Sequence, residues 1–206
     1  YVPQLGAFVV YYHLPPELVI FHFILSMILI DAAFALYWCS RYEPGERRYS
    51  NDWLGTWAVR ALIPFGQLTI FLGTITTASG PHPGDHDKEL VKRFDFKGTD
   101  TLEWIVQRHA AMAVIFALFV LAVIFIVRRQ GGDDRAQKPL AVTLGLICLQ
   151  LAIGVTQWLL HLPAALVWVH VVVATLLWIA VLWSVATAGQ LVPGSKGAIR
   201  RNPESA

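Results

Sequence analysis

Charged side chains make up only 15% of the 206 residues, against roughly 25% in an ordinary soluble domain. A chain so short of charge cannot solvate its whole surface. Its net charge of +2 is also too small to suggest a nucleic-acid partner, which calls for a strongly basic patch or stripe. Cysteine is nearly absent: Cys39 and Cys148 are the two present. They fall at different depths of separate apolar segments, which excludes a disulfide framework. No signal peptide is visible and the first residue, Tyr1, is not an initiator. What the chain has in abundance is apolar surface, 56% of residues with a mean hydropathy of +0.54.

That surface is concentrated in runs of about 20 residues, the length that crosses a bilayer core of about 30 Å. Five spans are expected, over residues 16–38, 57–77, 104–127, 140–160 and 166–188. Backbone groups in lipid must be satisfied within their own segment, so each span is a helix. Tyr37, Trp38, Trp53, Trp57 and Trp104 sit near span ends, where interfacial aromatics belong. The fold class is therefore all-α, a polytopic helical bundle in a lipid bilayer. One set of connections carries Arg41, Arg47, Arg48, Arg60, Arg128, Arg129, Arg135, Lys138, Lys196, Arg200 and Arg201. The other set has Lys88, Lys92, Arg93 and Lys97 in one loop and no basic residue in the turn around Pro163. The bias makes the first set cytoplasmic, with the C-terminus inside.

The string HLPxxLVxxH occurs twice, at residues 13–22 and 161–170. The offset is 148 residues (161 − 13 and 170 − 22), and Gly6 and Gly154 match at the same offset. Each copy opens a long apolar segment, so His22 and His170 lie at one shallow depth of equivalent helices. Such an internal repeat reads as a duplicated bundle with a duplicated cofactor site, for which heme is the first candidate. A complete duplication would have about eight helices, roughly three of them before Tyr1. Residues 3–13 read as the outer end of the helix preceding the first span. The expected organisation is 1–40 as the last helix of the N-terminal repeat, 41–56 as a cytoplasmic linker, 57–190 as the C-terminal four-helix repeat, and 191–206 as a cytoplasmic tail.

His109 lies just inside the outer end of the third span, and His170 just inside that of the fifth. At 1.5 Å per residue both sit within about 6–8 Å of their helix ends. Two imidazoles at one depth on facing helices can clamp a flat cofactor between them. The partner of His22, by the same spacing of 61 residues (170 − 109), would precede Tyr1. The chain has no CxxCH, so covalent heme attachment is excluded. A histidine in a membrane helix can also simply bond a neighbouring helix, but ionisable residues there are functional by default.

Other residues have narrower readings. Arg108, beside His109, either binds a heme propionate or snorkels to lipid phosphate. Ser26 orients a ligand or tightens packing. Asp31, on the far side of its helix from His22, is expected to pair with a neighbouring helix or a cytoplasmic base. Gln67, Gln150 and Gln157 read as interhelical hydrogen bonds, and Pro64 as a kink. Residues 73–87, GTITTASGPHPGDHD, form a shaped, non-helical cap over the His109/His170 end, a lid for the cofactor edge. His82 and His86 with Asp85 and Asp87 read as a solvated loop in preference to a metal site. His13 and His161 read as structural or interfacial turn residues.

Several of these segments resemble heme A synthases of actinobacterial type. The likeness covers essentially all of residues 1–190. It rests on GTITTASGPHPGD at residues 73–85, LPPELVIFHFILSM at 14–27, Gln107-Arg108-His109, and Leu162-Pro163 with His170. The resemblance implies two four-helix halves. The second would hold heme b through His109 and His170, with Arg108 beside it. The first would hold the substrate, heme O, whose iron His22 would face. It implies a heme-modifying oxidoreductase of the bacterial cell membrane that turns a ring methyl of heme O into a formyl group, giving heme A for cytochrome c oxidase. Heme O synthase and oxidase assembly factors would then be partners. The first half's Glu-Phe-x-x-Arg-like segment and its cysteine pair have no counterpart here, so the family's catalytic glutamate is not assigned. The rival readings are a b-type cytochrome that only carries electrons, and a heme-delivery subunit without turnover. All the ligand candidates lie at one face, which favours an enzyme over a transmembrane wire.

Overall fold

A computed structural model describes residues 2–13, 15–41, 47–48, 53–81, 93–130, 134–188 and 190–191. The helices are α1 (Val2–Tyr11), α2 (Pro16–Arg41), α3 (Trp53–Arg60), α4 (Leu62–Ser79), α5 (Thr101–Arg129), α6 (Asp134–Leu159) and α7 (Ala164–Thr187). A single 3-10 turn, Gly98–Asp100, leads into α5. The only strand pairing among the described residues is a two-residue antiparallel contact of β1 (Arg47–Arg48) with β2 (Gln190–Leu191), so the architecture is all-α.

All five expected spans are present: α2, α3 with α4, α5, α6 and α7 are each long and apolar enough to cross a bilayer. The protein is thus a multi-pass membrane protein. The second span starts earlier than residue 57 because tertiary contacts extend it. Gly55, Thr56 and Val59 of α3 are buried, and the first-turn amide of Gly55 donates to Gln130 Oε1 at 2.9 Å. A helix start otherwise leaves that donor without a partner. The break between α3 and α4 at Ala61 has a covalent cause. Pro64 has no N–H to return to the Arg60 carbonyl, so the ladder is interrupted where a kink was expected.

Helices α4, α5, α6 and α7 close into a four-helix ring, each packed on the next and α7 back on α4. Helix α2 leans on the outside of that ring against α4 and α7, and α1 touches α2 alone among the described elements. The buried positions of α5 are Thr101, Ile105, Met112, Phe116, Val120, Val123 and Val127, spaced by three, four or seven residues along one inward stripe. Phe116, Val120, Val123 and Val127 join Val59, Leu62, Leu140, Ile147, Trp178 and Val181 in one core cluster. Leu118, Leu121 and Phe125, on the other side of α5, are exposed. On a soluble surface such a face would be a liability; facing lipid it is solvated. Two polar groups in the core half of the ring are paired: Thr143 and Ser184, both fully buried, share a hydroxyl contact of 3.2 Å between α6 and α7. The core occupies the half of the ring nearest the arginines. The other half, at the histidine end, is where the packing opens.

Candidate functional site

At their described residues, both copies of the repeated string turn in the same way. His13 and His161 adopt left-handed φ values of 58° and 59°, a region histidine tolerates better than most residues. The amide bonds of Tyr12 to Phe8 and of Leu160 to Thr156, both 3.0 Å, end the incoming helices. Those of Val19 to Pro15 and of Val167 to Pro163, 3.0 and 3.1 Å, start the outgoing ones. His13 and His161 are therefore turn residues. Each turn delivers a histidine, His22 or His170, one to two turns into the next helix.

A glycine on the adjoining helix faces each imidazole. A Cβ added to Gly6 would lie 3.3 Å from His22 Cε1, and one added to Gly154 would lie 3.6 Å from His170 Cε1. The two glycine–histidine pairs keep the 148-residue offset of the sequence (154 − 6). A third pair joins them: a Cβ on Gly73 of α4 would come within 3.0 Å of His109 Cε1 on α5.

His109 and His170 meet across the ring from non-adjacent helices, with ring centres 6.2 Å apart and ring planes at 66°. His109 Nδ1 lies 3.1 Å from the Thr69 carbonyl oxygen. A carbonyl only accepts, so that nitrogen carries the proton and Nε2 is left with its lone pair. This is how metal-bound histidines are usually oriented. Beside His170, Gln150 Nε2 donates to its backbone carbonyl at 3.0 Å, and His170 Nδ1 is buried without a partner. A metal bonded to one nitrogen of each ring at about 2 Å, with each ring centre about 1 Å further back, gives centres about 6 Å apart. The observed pair fits that spacing. Among the described residues no three histidine, cysteine or acidic side chains converge on one point. Two imidazoles alone therefore suit an iron already held by a macrocycle better than a bare ion.

Both rings open onto a cavity of about 580 Å³ among α2, α4, α5, α6 and α7, a volume usual for cofactor sites. Its wall is mostly apolar, with Phe116 and Trp178 at the core end; its polar side chains include Thr69, Thr77, Glu103, Gln107, Gln150 and Gln157. Trp178 is nearly fully buried and fills the notch at Gly66, where a Cβ would clash at 2.9 Å. Its indole N–H donates to Asp31 Oδ1 of α2 at 2.6 Å, so Asp31 pairs with a neighbouring helix.

His22 is not part of this cavity. Val19 and Phe23 of α2 line it, while His22 turns toward Gly6 of α1 with Nδ1 buried and unpaired. Ser26 donates to the His22 carbonyl at 2.8 Å, spending its hydroxyl on its own helix. Arg108 is exposed; its guanidinium lies 4.3 Å above the Trp104 ring and donates to Gln107 Oε1 at 3.2 Å. Of the three glutamines, Gln150 bridges helices. Gln157 leaves its side-chain oxygen buried and unpaired, and Gln67 is exposed without a hydrogen bond among the described residues. Cys39 and Cys148 are free and exposed. The expected non-helical cap is corrected over its first half: residues 73–79 are the last two turns of α4, whose backbone ladder continues through the threonines to Ser79, while His82, Asp85, His86 and Asp87 lie outside the described residues.

Three features went unread in the sequence. The glycine notches had a signal, since Gly6 and Gly154 share the repeat offset. Trp178 and Arg93 had none: an indole in an apolar span and a cation in a loop look ordinary until their neighbours are known. In comparisons with known proteins, the family model described as cytochrome oxidase assembly protein matches residues 4–182. No curated protein and no solved structure matches the chain.

Proposed function

Since the chain belongs to the cytochrome oxidase assembly protein family, the heme A synthase family, we propose that it oxidises a ring methyl of heme O to a formyl group, yielding heme A for cytochrome c oxidase. The observation that carries the reading is the His109–His170 pair, 6.2 Å between ring centres at the mouth of an apolar cavity. In this reading His109 and His170 would hold a heme b between them, and that group would supply one-electron chemistry when bound. The Thr69 carbonyl holds the His109 proton on Nδ1 and so leaves the Nε2 lone pair available to a metal. The apolar wall excludes water and lowers the local dielectric, which tunes the potential of whatever iron is held there. His22, on the far side of α2, serves a separate pocket for the substrate heme O. Two sites in one protein, one for the cofactor and one for the substrate, suit such an oxidation, which removes four electrons from the methyl carbon and draws its oxidant and its oxygen atom from outside the protein.

The histidine end faces outward in this proposal and the arginine end faces the cytoplasm, by the basic-residue bias. Heme O synthase supplies the substrate and oxidase assembly factors receive the product. An electron carrier spanning the membrane would place a second ligand pair near the arginine end. The described histidines, His13, His22, His109, His161 and His170, all lie at the other end, which argues against a transmembrane wire. The test is His22→Ala in the protein as the cell makes it. The account expects heme A to disappear from extracted pigment while the His109/His170 heme stays in place. Normal heme A in that variant would contradict the substrate-pocket role.

A further inference from the structure

After α4 ends at Ser79, the described chain returns at Arg93 directly onto the end of that helix. Phe94 N–H donates to the Ala78 carbonyl at 3.2 Å, and Arg93 Nη2 donates to the Thr77 carbonyl at 2.8 Å. These two bonds fix where the guanidinium sits. Thr77 lines the cavity, as does Gly73 one turn below it, and Gly73 is the residue packed on the His109 ring. The cation therefore stands about 5 Å further along the helix than the imidazole, one helical pitch toward the membrane surface.

A helix cap explains only one of its five N–H donors. Arg93 is half-buried, and its Nε is buried with no partner. No carboxylate pairs with it among the described residues, and burial alone pulls its pKa below the ordinary arginine value. A desolvated cation with an open donor costs free energy unless an anion meets it. A guanidinium matches a carboxylate well, because two parallel N–H groups meet two oxygens. Arg108, the arginine next to the ligand histidine, is exposed and already engaged by Trp104 and Gln107.

We propose that Arg93, pinned at the rim of the cavity, is the carboxylate anchor for the occupant held between His109 and His170. This rests on the heme reading above and adds to it how the macrocycle is oriented. The ring lies in the apolar cavity, and its carboxylate edge points to the surface at the end of α4.

The test compares heme b with its dimethyl ester, which keeps ring and iron but carries no carboxylate. Both are titrated into the purified full chain in detergent, stripped of pigment, and followed by the low-spin absorption spectrum. The wild-type protein is expected to bind heme b at least about tenfold more tightly than the ester. Arg93→Gln should weaken heme b by a similar factor, remove the preference for acid over ester, and still give the low-spin spectrum at saturation. Arg108→Gln should keep the preference. Equal binding of acid and ester by the wild-type protein, with a normal low-spin spectrum, overturns the Arg93 assignment and leaves the heme site standing. A preference that survives in Arg93→Gln overturns it as well. No low-spin spectrum with either ligand in the wild-type protein overturns the heme reading, and the anchor with it.

Discussion

A methyl group at residue 73 would sit 3.0 Å from His109 Cε1, closer than packed carbons approach, so either the imidazole or helix α4 must yield. The ring is also held by its contact with the Thr69 carbonyl, one turn from Gly73 on the same helix, and has little room to retreat. Orienting contacts of this kind typically change metal affinity by 10–100-fold. Gly73→Ala is expected to lower heme affinity about tenfold. Gly154→Ala, whose Cβ would make an ordinary contact of 3.6 Å with His170, should change it little. Heme titration of the two purified variants checks the contrast, and equal affinities would show that the glycine notch does not set the ring.

Among the elements, α2 is the one whose attachment most needs explaining, because it lies outside the four-helix ring. Its polar link to the ring is Asp31, which accepts the Trp178 indole N–H at 2.6 Å. Trp178 in turn walls the cavity and fills the Gly66 notch. Asp31→Leu would leave a buried donor unpaired, at a cost of about 1–3 kcal/mol. Asp31→Asn keeps an acceptor and should cost less. Thermal unfolding in detergent measures both, and an unchanged midpoint in Asp31→Leu would show that the bond contributes nothing. The existence of each span was legible from length and hydropathy alone, since lipid leaves the backbone no alternative to a helix. Ends were less legible. α3 begins at Trp53 because Gln130, distant in sequence, caps it, and α6 starts at Asp134, carrying Pro139 in its second turn. Within the site, His109 and His170 were readable because depth along a helix can be counted. The place of Arg93 was not readable, because only the backbone's return to Ala78 brings it onto the end of α4.

For the whole molecule, the account requires one orientation and one central site. Single cysteines at Gly84 and Gly132, in a chain lacking Cys39 and Cys148, report the orientation. Gly84 should react with an impermeant thiol reagent in intact cells and Gly132 should not, by the distribution of arginine and lysine. The reverse pattern would put the histidine end in the cytoplasm. The repeated string made the site readable: two left-handed histidines, His13 and His161, two helix histidines, His22 and His170, and two facing glycines, Gly6 and Gly154, recur at one offset. The central claim is that His109 and His170 together hold one heme iron, and the low-spin spectrum of the purified protein tests it most directly. The account predicts a six-coordinate low-spin b-type spectrum in the wild-type chain that is lost in both His109→Ala and His170→Ala; its full retention in both variants would contradict the account.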